Sequence, residues 1–306
     1  MILSQEVFKK VEDNFRSVAR EIDKTLFDYH FGEADSEDVV ECLLKYQNRD
    51  GGFGKALEPD FRLPYSSAMA TSIALRILYQ INDRDVTESM ILSSVDYLEC
   101  TFEDELSGWY SVPPEVNDFP HAPWWHYDSD EGITVIDRYW GNPNAEIFAY
   151  LYAYQDLLDT IDIGLMVERA IDRFVGREEY GSPHEIYCYQ RLYEVLPKKL
   201  SKRMEDSLAL AIGQNISIDT KEWGGYVPRP LDFVPSPKSN HFGVSKEHID
   251  LNLDYIIDIL NERSIIGPHW GTDIYSEAMK TAEGEWKGNL TLRSLKLLDR
   301  FSRIEK

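Results

Sequence analysis

Cysteine is scarce in this sequence, and its spacing matches neither a metal site nor a disulfide framework. The three cysteines, Cys42, Cys100 and Cys188, are odd in number, form no C-x-x-C pair and lie within apolar helical patterns. Free cysteine in such a pattern behaves as a small buried hydrophobe. We therefore expect buried, reduced thiols, which suit a reducing compartment.

Long apolar runs are also missing. The first residues, MILSQEVFKKVEDNF, become charged after the third position, so they lack the apolar core of a signal peptide. No segment has the continuous apolar length that a membrane-spanning helix needs. These absences predict a soluble, cytoplasmic protein with no membrane span.

Basic residues are few relative to acidic ones, with 32 Lys and Arg against 54 Asp and Glu and a formal net charge of −22. A field of this sign repels nucleic acid and anionic lipid. It also disfavours an exposed polyphosphate site unless a metal or a local basic patch reverses it. We therefore expect no nucleic-acid partner and no cofactor, and a small neutral, cationic or apolar molecule as ligand.

Helical periodicity, by contrast, runs through most of the chain. Apolar residues recur at helical spacing in SSAMATSIALRILYQI, AEIFAYLYAYQDLLDTI, HIDLNLDYIIDIL and LTLRSLKLLDRF, and alternating strand patterns are scarce. The pattern predicts an all-α protein. We expect a single domain over 1–306, with an N-terminal helix in 1–30, a long aromatic and acidic insertion at 108–142, and a Pro-rich loop at 227–242. We interpret that loop as an extended lid or wall, since the helical rhythm continues on both sides of it.

The helices are separated by a recurring kind of turn. A glycine next to an aromatic residue occurs in GGFG, SGWY, EYGS, WGGY and PHWG, and most of these turns lie between two helical patterns. Three helices are predicted to open at Pro64, Pro143 and Pro183, with Asn142 and Ser182 in N-cap positions. Helix, turn and helix in repeated order predict an array of helical hairpins. Such an array forms an open solenoid or a closed double ring, and the long loops favour closure.

One turn carries a family resemblance. Leu43, Gln47, Gly51 and Phe53 read L-x3-Q-x3-G-x-F, which resembles the glutamine-aromatic repeat of the terpenoid cyclase and protein prenyltransferase superfamily. The resemblance implies an α/α toroid, a closed ring of roughly five to six helix pairs. It also implies that the glutamine caps a helix end and bonds to the next turn, with the aromatic ring beneath it. The later turns keep glycine and the aromatic residue but not the glutamine.

In such a ring the turns would gather their polar and aromatic side chains at one mouth. The candidate catalytic residues are Asp128, Asp130, His121, His184, Glu58 and Asp60. The candidate substrate-binding residues are Trp124, Trp125, His126, Tyr65, Asn144, Tyr187, Trp223, Tyr226, Trp270 and Trp286.

The densest group of candidates is HAPWWHYDSDEG, residues 121–132. Tryptophan rings can stack on sugars or stabilise a cation, and imidazole and carboxylate groups transfer protons near neutral pH. Within it, Asp128–Glu131 (DSDE) resembles the D-x-D-D motif of the protonating terpene cyclases, which implies that Asp130 delivers the proton. Glu131 departs from that motif, and the chain is too short for the second helical domain of those enzymes. Alternatively, the two tryptophans plug one end of the ring and the acids form a solvated loop.

Several metal and covalent signatures of the same superfamily are absent. The residues two positions before the cysteines are Val40, Leu98 and Ile186, so the Asp-x-Cys zinc pair of the prenyltransferases does not occur. The aspartate-rich metal motif of the ionising cyclases and the C-G-E-Q thioester motif are also missing. We predict no metal site.

Two pairs of candidates have competing interpretations. Ser182 and Glu185 have capping-box spacing, which accounts for Glu185 and leaves His184 as the candidate; His184 and Cys188 share a helical face, interpreted as core packing. Glu58 and Asp60 are either paired carboxylates for acid-base work on a sugar or acids that precede the helix at Pro64.

Two hypotheses about function follow from these residues. The first is an acid-base enzyme acting on a small neutral or apolar molecule, either isoprenoid-like, as the resemblance implies, or a carbohydrate cleaved by hydrolysis or elimination. The second is a toroid that binds a ligand or a partner without catalysis. The density of proton-transferring residues favours the enzyme.

Overall fold

The computed structural model describes all 306 residues and is built almost entirely of helices. Helix accounts for 59% of the chain and there are no strands, only isolated bridges. The all-α prediction is confirmed. None of the helices combines the length and apolarity needed to cross a bilayer.

The chain divides into two compact units. The continuous unit is formed by Asp35–Ala211, and the discontinuous unit by Met1–Ala34 together with Ile212–Lys306. The hypothesis of one domain over 1–306 stays a prediction.

The continuous unit is organised around one central helix. Its helices are α3 (Ser36–Leu44), α4 (Ala68–Ile81), α5 (Arg84–Cys100), α6 (Gly141–Ala153), α7 (Ile163–Phe174), α8 (Pro183–Val195), α9 (Lys198–Ser201) and the start of α10 (Glu205–Asn215). Helix α6 packs against α4, α7 and α8. Because α6 is apolar on nearly all sides, it must be covered all round, and every residue from Pro143 to Leu151 is buried.

In the discontinuous unit, both ends of the chain pack together. Its helices are α1 (Gln5–Val18), α2 (Glu21–Phe31), α11 (Pro230–Phe233), α12 (Lys246–Arg263) and α13 (Lys280–Arg300), with the end of α10. Helix α13 packs against α1 and α2 and approaches their junction closely, since a Cβ at Gly288 would lie 2.7 Å from the Cα of Ala19. Leu3 and Ile304 form a parallel bridge.

Several predicted boundaries were wrong. The N-terminal segment 1–30 forms two helices, because Ala19 and Arg20 have extended backbone. Helix α4 begins at Ala68 rather than at Pro64, because the amide of Ser67 bonds to the carbonyl of Phe53 and its hydroxyl caps the helix. The Pro-rich loop is not one extended path, since it contains α11. The expectation of three buried thiols was wrong for Cys100, which is exposed because it is the last residue of α5; Cys42 and Cys188 are buried.

The predicted cap of α8 is confirmed in part. Ser182 is the N-cap, and its hydroxyl accepts the amide of Glu185. The capping-box role of Glu185 was wrong, because its carboxylate accepts the amide of Gly141 at 3.0 Å and pairs with Arg177 at 2.9 Å. In α6, Asn142 has extended backbone, so the regular helix starts at Pro143.

The turn between α3 and α4 has the contact expected for its glutamine. The side-chain amide of Gln47 donates to the carbonyl of Gly51 at 3.0 Å. Phe53 is fully buried, and its amide donates to the hydroxyl of Thr71 on α4 at 3.1 Å. The turn is therefore fixed to the helix that follows it.

Candidate functional site

Three predicted site residues come together in the insertion 108–142, and we call His121, His126 and Asp128 the imidazole cluster. The insertion pairs with the loop before α4, where the amide of Arg62 donates to the carbonyl of Pro120 and the amide of Ala122 donates to that of Asp60. Phe61 and His121 face each other in this antiparallel bridge. Backbone pairing therefore positions His121.

A second set of local hydrogen bonds holds the backbone next to His126. The side chain of Asn117 donates to the carbonyl of Tyr127 at 2.8 Å and accepts the amide of the same residue at 2.9 Å. Both bonds hold the backbone of the residue after His126, so they fix the position from which the His126 side chain extends. The planes of the two imidazoles are nearly parallel, with an interplanar angle of 18° and ring centroids 5.5 Å apart.

The hydrogen bonds of the pair determine its tautomers. Nδ1 of His121 lies 2.7 Å from the carbonyl oxygen of Phe119, which can only accept, so Nδ1 carries the proton. In neutral His121, Nε2 then accepts, and it lies 3.3 Å from Nδ1 of His126. His126 must donate through Nδ1, which leaves the lone pair on its own Nε2. The relay therefore ends in a basic nitrogen on an exposed ring.

Asp128 supplies negative charge beside this pair. Its carboxylate accepts the amides of Asp130 at 2.9 Å and Glu131 at 3.2 Å. These backbone bonds, that of Glu131 foremost, lower the pKa of Asp128, and His126 adds a smaller attraction. Within the DSDE stretch, the ionised acid beside the imidazole is thus Asp128, while Asp130 contributes its amide and has an exposed side chain.

Aromatic residues lie next to the imidazole cluster. Trp125 is buried and meets Phe61 edge to face at 5.0 Å, and its indole Nε1 is buried with no hydrogen-bond partner. Trp124 is half-buried. Tyr65 is exposed and contacts Phe119 edge to face at 5.7 Å.

Glu58 and Asp60 are buried in the loop that pairs with the insertion. The carboxylate of Glu58 accepts the amide of Asp60 at 3.3 Å. Asp60 joins the insertion through its backbone, since its carbonyl accepts the amide of Ala122 at 2.7 Å.

The other candidates of the continuous unit lie on α6 and α8. Asn144 is buried and serves the backbone, accepting the amide of Trp109 at 2.7 Å and donating to the carbonyls of Trp109 and Trp140. On α8, the rings of His184 and Tyr187 meet edge to face at 5.8 Å.

The remaining four candidates lie in the discontinuous unit. Trp270 contacts Tyr226 at 5.7 Å and Trp286 at 5.0 Å, both edge to face, so three predicted binding rings form one group. Trp223 is fully buried and donates its indole N–H to the carbonyl of Ser217.

Sequence reasoning missed a buried ionic centre in the continuous unit. Glu146 on α6 is only 1% exposed and accepts two bonds from Arg76, at 2.5 and 2.7 Å. Arg191 lies 3.2 Å from the same carboxylate, and the hydroxyl of Tyr150 donates to it at 2.9 Å. Burial raises the pKa of Glu146, but the two arginines outweigh burial and hold it below its usual value.

Cys188 belongs to this centre. Its thiol lies 3.8 Å from the carboxylate of Glu146 and 3.6 Å from the side-chain oxygen of Asn142. Burial, with the charge of Glu146, raises the pKa of Cys188 far above its usual value. A thiol held in its protonated form is a poor nucleophile.

No three His, Cys, Asp or Glu side chains are grouped so that they could hold a metal ion. No family model matches the chain, and neither a curated protein nor a solved structure shows significant similarity to it.

Proposed function

We propose that the imidazole cluster carries out acid-base catalysis on a small neutral molecule. The observation that carries this proposal is the bond of His121 to the carbonyl of Phe119, which fixes both tautomers and leaves Nε2 of His126 unprotonated. A histidine with its lone pair outward is a suitable general base near neutral pH.

Each residue of the cluster has a distinct part in the transfer. His126 takes a proton from a hydroxyl or an activated carbon of the substrate. His121 accepts the Nδ1 proton of the resulting imidazolium in a hydrogen bond, and the ionised Asp128 stabilises its charge. The same imidazolium then returns the proton to the leaving group or product.

The surroundings favour a hydroxylated substrate over an isoprenoid. Asn117 and Tyr127 give the cluster polar neighbours, and His126 and Asp128 are exposed, whereas an isoprenoid needs an apolar, desolvated cavity. The charge of −22 disfavours anionic substrates. A neutral carbohydrate therefore suits this site best, with hydrolysis or elimination as the reaction.

The larger architecture belongs to the same proposal. We infer a closed α/α ring related to the terpenoid cyclases and prenyltransferases, working in the cytoplasm. The Gln47–Gly51 bond and the order of α3, glycine-aromatic turn and α4 support this inference.

The tautomers can be tested first. In 15N-labelled protein with both imidazoles neutral, we expect His121 and His126 to carry their protons on Nδ1 and to have unprotonated Nε2 atoms. Long-range 1H–15N correlation of the imidazole rings measures this directly. A proton on Nε2 of neutral His121 would exclude the proposed relay.

Catalysis is tested with a panel of neutral glycans and prenyl alcohols. We expect glycans to raise the melting temperature, since binding to the native state stabilises it. For any glycan that is turned over, His126→Gln should lower kcat by about 10²- to 10⁴-fold while the thermal shift persists. His241→Gln, outside the cluster, is the matched control. Binding without turnover, or equal activity of the two variants, would favour the non-catalytic alternative.

A further inference from the structure

The discontinuous unit contains a small cleft that has no part in the proposed chemistry. Its volume is about 50 Å³, and it is partly open to solvent. Polar and aliphatic side chains of α11, α12, α13 and the loop segments next to them line it together. Among the apolar ones are Leu231, Ile256, Ile266 and Leu290.

The charged lining is positive in a strongly acidic protein. Arg229 and Arg293 both line the cleft, with Asp232 as their carboxylate neighbour. Asp232 accepts from the side chain of Arg293 at 2.9 Å and from the backbone amide of Arg229 at 2.8 Å. Two guanidinium groups against one carboxylate leave one positive charge, which a single negative charge would balance.

The guanidinium of Arg229 retains donors for a ligand. It donates to the carbonyl of Trp223 across a long 3.5 Å and lies 5.7 Å from the ring centroid of Tyr255. A guanidinium has five N–H groups in a planar fork that matches a carboxylate.

His269 adds a hydrogen-bond acceptor that has no donor. Its Nε2 is buried and has no partner, so the ring bonds to the backbone of Gly224 through Nδ1. Burial, with repulsion from Arg229, lowers the pKa of His269 to about 4. The ring is therefore neutral at physiological pH, and Nε2 is a bare acceptor. Unsatisfied buried polar atoms are rare and call for a partner.

We propose that this cleft binds a short 2-hydroxycarboxylate, with its carboxylate on Arg229 and its hydroxyl donating to Nε2 of His269. The aliphatic side chains contact the hydrocarbon part of the molecule. An ammonium group would be repelled by the arginines, and a doubly charged phosphate would exceed the single positive charge of the lining.

The probes are glycolate, acetate and inorganic phosphate, titrated into the wild-type protein by calorimetry and by imidazole NMR. Glycolate should bind saturably, shift the His269 resonances and bind about tenfold more tightly than acetate, because only glycolate has the hydroxyl. Equal affinity for acetate and glycolate, tighter binding of phosphate, or no saturation at tens of millimolar glycolate would overturn the proposal.

Two variants test whether Arg229 and His269 bind the ligand. His269→Phe keeps a ring but removes the acceptor, so glycolate affinity should fall to that of acetate while acetate affinity is unchanged. Arg229→Gln should abolish binding of both acids, and the exposed Arg263→Gln should change neither. Retained preference for glycolate in a folded His269→Phe variant contradicts the assignment. If that variant does not fold, the wild-type comparison of the three probes still decides.

Discussion

Replacing Gly51 by alanine is expected to destabilise the protein by about 3 kcal/mol or more. Gly51 has a φ of +89°, and a Cβ there would lie 2.0 Å from the carbonyl oxygen of Ser93 on α5. Neither atom can move without shifting backbone, so the turn or the helix must yield. Urea denaturation followed by circular dichroism measures the loss of unfolding free energy.

Gly176 provides the matched control. It has a similar φ of +80°, but a Cβ there would meet nothing within 4 Å. Gly176→Ala should cost only the left-handed backbone penalty, about 1–2 kcal/mol. The difference between the variants therefore measures the contact with α5. If Gly51→Ala and Gly176→Ala lower the free energy of unfolding equally, the close contact with α5 is not the reason for glycine at position 51.

Replacing Glu146 by glutamine should also destabilise the protein, by about 3–5 kcal/mol. The substitution keeps the shape of the side chain but leaves Arg76 and Arg191 without their buried counter-charge. The arginines are about one-third exposed, at 32% and 30%, so water offsets part of the loss and we expect the lower end of this range. Chemical denaturation at neutral pH gives the difference.

Glu88→Gln is the control for Glu146→Gln. Glu88 pairs with Arg84 at 3.1 Å on the surface of α5, where an exposed ion pair contributes little. Its loss should change stability by about 0.5 kcal/mol or less. Equal effects of the two substitutions would show that the buried centre does not stabilise the fold.

The pH dependence provides a second test of the Glu146 centre. The pKa of Glu146 is lowered in the folded protein, so its carboxylate stabilises the fold above the ordinary value of 4.5. That contribution is lost as the pH falls below 4.5 towards the folded pKa. The stability difference between wild type and Glu146→Gln should therefore shrink below pH 4.5. A difference that stays constant there would contradict the ionised assignment.

The sequence predicted which residues are candidates better than it predicted which residues they contact. The turn of Gln47 and Gly51 formed the expected bond because its residues are four apart. Glu185 was misassigned for the opposite reason, since its backbone partner, Gly141, lies 44 positions away. Pro64 suggested a helix start by its own backbone preference, whereas Ser67 is held in an isolated bridge with Phe53 and the helix starts only after it, at Ala68.

The sequence indicated the imidazole cluster as a dense stretch of candidate residues. It did not indicate which nitrogen atoms carry protons. Residues 121–128 are close in sequence, so their proximity was predictable. Which nitrogen carries each proton depends on the carbonyl of Phe119 and on the clamp of Asn117, and composition does not specify either. The resemblance pointed to Asp130, whereas the turn bonds place Asp128 beside the imidazole.

The sequence by itself determined that the chain is helical, where most turns lie, and which loops concentrate aromatic and acidic residues. These properties depend on periodicity and capping among residues a few positions apart. Only the tertiary structure decided that Glu146 meets Arg76 across 70 positions, and that Nε2 of His269 is buried in a cleft with two arginines. Such partners lie on segments far apart in the sequence and are brought together by packing, which local spacing does not encode.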